Sequence, residues 1–147
     1  MQKLVVIAHN LRSTHNVGSL LRTCDGLGVD KVYLTGYTPY PLQKHDERLP
    51  HLAQKIDQQI HKTALGAETS VDWEFSTNVE AVLKSLQDDG FQIVALEQTP
   101  QSLDLAEFQP SQKLAVLVGR EVEGIGRNEP DDRVGRQHVI PRLLPGG

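Results

Sequence analysis

Two polar, glycine-containing turns, each directly behind an apolar run, hold the residue types from which a site could be built. The first is NLRSTHNVGSLLRTCDG, Asn10–Gly26, which follows KLVVIAH at 3–9. It carries Arg22, and no acidic residue precedes Asp25, so Lys3, Arg12 and Arg22 open the chain without a local counter-charge. Asn16 is of the type that caps a helix by accepting from a free backbone N–H. A helix begun there presents unpaired N–H groups that favour an anion or a polar ligand. Arg22 lies off the apolar stripe of that helix and can reach along its flank toward the same end. The spacing is equally that of a solvated arginine on an exposed helix face.

The second turn is LAVLVGREVEGIG, residues 114–126. Gly119 lets a ligand approach the backbone, and Gly124 and Gly126 permit turns that a β-carbon would obstruct. The pattern G-x-E-x-x-G puts Glu121 at the end of a strand, where a carboxylate could orient Arg22 or a substrate hydroxyl. An ordinary strand-to-helix loop with a surface glutamate has the same look. Two further patterns lead elsewhere. GLGVDK at 26–31 begins like a dinucleotide fingerprint, but it ends a helix and precedes a strand, the reverse of the order that fingerprint needs. His9 and His15 lie six apart with a single cysteine, Cys24, in the chain and no third ligand at useful spacing, so no metal is expected.

The elements that must position these residues follow from periodicity. KLVVIAH (3–9) is apolar on both alternating faces, as a strand between two helical layers must be. After Asn16, a helix with Val17, Leu20, Leu21, Cys24 and Leu27 inward is expected, stopped by Gly28. KVYLTG (31–36) reads as a second strand, followed by a proline-rich loop at 37–50. Pro50 opens a helix with Leu52, Ile56 and Ile60 on one face. VDWEF (71–75) reads as a short strand, and TNVEAVLKSLQDDG as a helix with Val79, Val82, Leu83 and Leu86 inward, ended by Gly90. FQIVALE (91–97), KLAVLVG (113–119) and HVIP (138–141) read as three further strands. Alternating strands and helices of this kind predict an α/β domain with a mostly parallel sheet covered on both faces. Ligands of such sheets bind outside the carboxyl ends of the strands, which is where both turns fall.

Composition sets the outer limits. The 147 residues are 38% apolar and 23% charged, values of a globular chain, and the length suits one domain spanning 1–147. No apolar run approaches the roughly 20 residues that cross a bilayer, and the N-terminus has too short an apolar stretch for a secretion signal, so a cytoplasmic protein is expected. The net charge of −4 does not favour nucleic acid, so such a partner needs a local patch, for which the acid-free opening is the candidate.

Together with VIP at 139–141, the two turns read NxRSxxNVGSxxRT, LVGxExxGI and VIP. In order and spacing this resembles the three motifs of the SpoU (TrmH-type) RNA 2′-O-ribose methyltransferases of the SPOUT superfamily. YLTGYTP and KTALGAE resemble the interior of the same family. The likeness covers residues 3 to about 126 best, and the first motif is specific. It implies an α/β fold with a trefoil knot, S-adenosylmethionine bound in the knot, a homodimer, and tRNA or rRNA as substrate. It also implies site residues. Asn16 and Arg22 match the asparagine and catalytic arginine of the first motif, and Glu121 matches the glutamate of the second. Gly119, Leu96 and Ile140 fall where the family contacts its cofactor.

The chain departs from the pattern after VIP, where RLLPGG replaces the Ser-Leu-Asn and closing helix of the family. Read as it stands, the third motif is truncated, the knot incomplete, and weak or absent S-adenosylmethionine binding is expected. The alternative function is a non-catalytic RNA- or protein-binding member of the same fold.

Overall fold

β1 (Lys3–His9) carries four consecutive buried residues, Val5 to Ala8, and that double-sided burial sets the architecture. In the computed structural model, which describes residues 2–96 and 112–119, β1 is the central strand of a five-stranded sheet. The remaining elements are α1 (Thr14–Leu27), β2 (Lys31–Thr35), α2 (Pro50–Ala64), α3 (Ala67–Ser70), β3 (Trp73–Ser76), α4 (Val79–Asp88), β4 (Gln92–Ala95) and β5 (Lys113–Gly119). All four strand pairings are parallel, in the order β3-β2-β1-β5-β4.

Alternation along β1 divides the core in two. Val5 and Ile7 pack with Val79, Val82, Leu83 and Leu86 of α4. Val6 and Ala8 pack with Val17, Leu21 and Cys24 of α1 and with Ile60 and Ala64 of α2. The expected α/β class, with helices on both faces of a parallel sheet, is therefore present. No described helix is long and apolar enough to cross a membrane.

α1 differs from its expected form at both ends. Ser13 is the N-cap, its Oγ accepting from the N–H of Asn16 at 3.1 Å, so the helix starts one turn earlier than a cap at Asn16 would place it. The reason is that the first turn, Thr14–Asn16, buries no apolar residue and leaves no periodic mark. Leu27, expected inward, is 71% exposed, because it sits in the last residue of the helix, beyond the buried stripe of Val17, Gly18, Leu21 and Cys24. Gly28 stops the helix as expected, with φ 72° in the left-handed region. Burial pushes the Cys24 thiol up to about 11, so it behaves as a core residue.

Elsewhere the differences are small. Leu52, in the first turn of α2, is 44% exposed, whereas Ile60 is fully buried. The strand expected at 71–75 runs Trp73–Ser76, and α3, four residues long, carries no periodicity that could have announced it. HVIP lies outside the described residues.

Candidate active site

Chain order reverses between β1 and β5. From β1 the chain moves through β2 to β3 on one side, then crosses to β4 and returns to β5 beside β1. The helices after β1 and β2 cover one face, and α4 covers the other. Sheets of this kind take ligands at the carboxyl ends of their strands, beside such a change of direction.

The residues at that edge are fixed by register. His9 of β1 pairs with Gly119 of β5 on one side and with Thr35 of β2 on the other. Gly119 has φ 130°, a conformation open to glycine, and a β-carbon there would run into the backbone oxygen of His9. Leu96 continues β4 by donating its N–H to the Leu117 carbonyl at 2.9 Å, which sets it beside the end of β5, half-buried. Two of the expected site positions, Leu96 and Gly119, therefore stand at the ends of neighbouring strands. Glu121 and Ile140 lie outside the described residues.

Asn16 and Arg22 are both exposed on α1. Asn16 stands in the first turn, where its N–H is taken by Ser13, so the role of capping residue passes from Asn16 to Ser13. Arg22 is six residues on, roughly 9 Å along the axis and 120° around it. The two side chains share the solvent side of the helix without meeting there. Among the described residues, the Arg22 guanidinium takes part in no hydrogen bond or ion pair. Nor do three His, Cys, Asp or Glu side chains gather as a metal site among them.

A buried polar joint beneath this rim was not anticipated. The Thr38 hydroxyl donates to the Thr35 carbonyl at 2.7 Å and accepts from the Leu11 N–H at 3.1 Å. Asn10, buried and left-handed at φ 57°, accepts from the Tyr37 N–H through Oδ1 at 3.1 Å. Its own N–H reaches the Thr35 carbonyl at 3.2 Å. These bonds fasten the loop after β1 to the loop after β2 and so aim the start of α1. The available signal was the pair of threonines in YLTGYTP, polar residues flanking a glycine at a strand end.

The rest of the 37–50 loop is held by Arg48. Its guanidinium makes a two-point pair with Asp46, Nε to Oδ1 at 2.9 Å and Nη2 to Oδ2 at 2.6 Å. It also donates to the carbonyls of Tyr40 and Pro41, both at 3.0 Å, and lies 3.7 Å from the Tyr40 ring centre. Tyr40 stacks in turn on Phe75 at 3.9 Å. The Arg48 hydrogen bonds hold the Asp46 carboxyl far below the usual carboxylate range, against the opposing effect of burial. A carboxyl depressed by folding stabilises the fold fully above its unfolded pKa of about 3.9, and that contribution is lost as pH falls below it. Acid titration of thermal stability should therefore show a steeper fall below pH 4 in the wild type than in Asp46→Asn, which is less stable at neutral pH. Equal slopes for the two proteins would remove this pair from the acid response.

A model of the SpoU rRNA Methylase family matches residues 3–141. A protein of Staphylococcus saprophyticus described as a TrmH family tRNA/rRNA methyltransferase is 29% identical over 123 residues, covering 84% of this chain and 43% of the relative. The chain thus spans less than half the length of that relative. Among solved structures, the TrmH/SpoU tRNA modifying enzyme of A. aeolicus superposes with a TM-score of 0.64 at 23% identity, over 97% of this chain and 64% of that one. The SpoU methyltransferase AviRb of Streptomyces viridochromogenes, in complex with AdoMet, gives a TM-score of 0.64 at 15% identity, over 99% and 51%. At those identities the structural likenesses concern the fold.

Proposed function

Because the chain belongs to the SpoU rRNA methylase family, we propose that it is an S-adenosylmethionine-dependent methyltransferase that acts on the ribose 2′-hydroxyl of a tRNA or rRNA nucleotide. The observation that carries this reading is the shared carboxyl edge of β1 and β5, where His9 and Gly119 stand in register and Leu96 continues the neighbouring strand. A nucleoside-bearing cofactor asks for an apolar wall and for backbone polar groups without side chains in the way. Half-buried Leu96 and side-chain-free Gly119 fit that demand. With Ile140, they are the residues that would hold the cofactor, which supplies an electrophilic methyl group on a sulfonium.

The protein's own residues then have the following work. The ribose hydroxyl is a poor nucleophile, and its proton must leave or be shared as the new C–O bond forms. Arg22 stabilises the alkoxide that develops and holds the adjacent phosphate with its planar fork. Glu121 orients Arg22, and Asn16 orients the ribose from the first turn of α1. Much of the acceleration would come from the way Asn16 and Arg22 hold the ribose hydroxyl in one orientation. An arginine without an acidic partner on its own helix suits this task, since the charge is kept for substrate. The proposal takes 1–147 as one methyltransferase domain, working in the cytoplasm as a homodimer. Neither the fold nor the relatives favour a non-catalytic binding protein.

The test uses S-adenosylmethionine labelled in its methyl group, with bulk tRNA and rRNA as acceptors. Methylation of a 2′-oxygen blocks its attack on the neighbouring phosphate, so alkaline hydrolysis leaves the label in a resistant dinucleotide. Label released in mononucleotides would place the methyl on a base and overturn the ribose assignment. No incorporation into either RNA would overturn the activity.

A further inference from the structure

We propose that Tyr37, with Arg12 against its ring, is a stacking platform for an unpaired base of the RNA at the carboxyl edge of the sheet. The inference rests on the reading that the substrate is RNA and goes beyond the methyl-transfer residues. Tyr37 follows β2 and Arg12 follows β1, and the ends of these strands are paired through His9 and Thr35. Both residues therefore stand on the rim that carries Gly119 and the start of α1. Tyr37 is 48% exposed. The Arg12 guanidinium, also exposed, lies 5.7 Å from the ring centre, and its Nε donates to the Tyr37 hydroxyl at 3.5 Å.

A single exposed aromatic means little by itself. This one is distinguished by how firmly its backbone is held. The Tyr37 N–H is bound to Asn10 Oδ1, and Asn10 is itself buried in a left-handed conformation. Gly36 before it has φ 67°, and a β-carbon there would meet the Asn10 side chain. Thr38 after it is 1% exposed and bonded through its hydroxyl to Thr35 and Leu11. A rigid base thus presents a wet aromatic face, so little freedom is left to lose when a base stacks on it. Stacking tolerates any base, and the adjacent guanidinium adds a cation for the neighbouring phosphate. The ligand class is single-stranded or looped RNA, since the bases of an A-form duplex are not free to stack on a protein ring.

The full chain is titrated with bulk tRNA and with a fluorescent single-stranded oligoribonucleotide, and S-adenosylmethionine binding is measured in parallel. Tyr37→Ala is expected to weaken binding of both RNAs about tenfold or more, raising KM while leaving kcat and cofactor binding near wild type. Tyr37→Phe and Tyr37→Trp keep a stacking face and should bind within about twofold of wild type. Arg12→Ala should lower the salt dependence of binding by about one phosphate contact, whereas Tyr37→Ala leaves that slope unchanged. Unaltered RNA affinity in Tyr37→Ala would overturn the platform while leaving the RNA reading intact. A Tyr37→Phe variant as weak as Tyr37→Ala would overturn it too, because the hydroxyl link to Arg12 would then be the feature that matters. If the wild type binds the cofactor but neither RNA, the substrate reading fails and the platform with it.

Discussion

Replacing Arg22 by alanine is expected to lower the rate of methyl transfer about 10²- to 10³-fold, the loss typical when one group aimed at a developing oxyanion is removed. Folding should be unaffected. The side chain is exposed and, among the described residues, makes no hydrogen bond or ion pair whose loss would be felt. Thermal unfolding of Arg22→Ala should thus move by no more than a surface substitution does, about 0.5 kcal/mol either way. Arg22→Lys restores the charge without the planar two-point fork, so it should recover only part of the rate. Initial rates with labelled cofactor, alongside melting curves, decide the matter. Full activity in Arg22→Ala would take the arginine out of the chemistry.

The second large effect is structural and comes from the same helix. Gly18 lies where α1 crosses α2, and a β-carbon on it would overlap Thr63 Oγ1 and the Ile60 carbonyl oxygen and stand 2.9 Å from the Ala64 nitrogen. Two of those three obstacles are backbone, which cannot rotate aside. The Thr63 hydroxyl, moreover, is already committed to the His15 carbonyl at 2.9 Å. Gly18→Ala should destabilise the protein by about 1–3 kcal/mol, the usual cost of overfilling a packed contact. That loss comes despite the better helix propensity of alanine, worth up to about 1 kcal/mol. Gly26, in the last turn of the same helix, has nothing within 4 Å of its would-be β-carbon. Gly26→Ala should therefore be neutral or stabilise by up to about 1 kcal/mol. Opposite signs for one substitution at two sites in one helix, read from denaturation midpoints, isolate the crossing as the cause. A stabilised Gly18→Ala would mean that α1 and α2 do not approach as described.

Much of the architecture was written in local pattern. Doubly apolar KLVVIAH, KLAVLVG and IVA could only be strands between two layers, and the stripes on α1 and α4 named their buried residues apart from Leu20, which is half-buried, and Leu27, which is exposed. The glycine stop at Gly28 and the proline start at Pro50 each depend on one residue's own backbone restriction, so each was legible by itself. The helix start was not. Ser13 and Asn16 are both capping types, and which of them caps depends on the backbone angles at Ser13, which the joint of Asn10, Thr35 and Thr38 helps to set.

The same division runs through the site. Residue types and spacing singled out Asn16, Arg22 and Gly119, the family resemblance added Leu96, and the strand–helix order put the turns that carry Asn16 and Gly119 at carboxyl ends. That Gly119 faces His9, that Leu96 lies beside the end of β5, and that Gly18 serves a helix crossing were decided only by the strand order β3-β2-β1-β5-β4 and the packing over it. Periodicity and caps act through residues a few positions apart, and a sequence displays them directly. Strand order and helix contacts join residues up to 110 positions apart, as in the pairing of His9 with Gly119, and are chosen by the burial of whole faces at once. That choice is a property of the assembled sheet, which no single stretch of the chain contains.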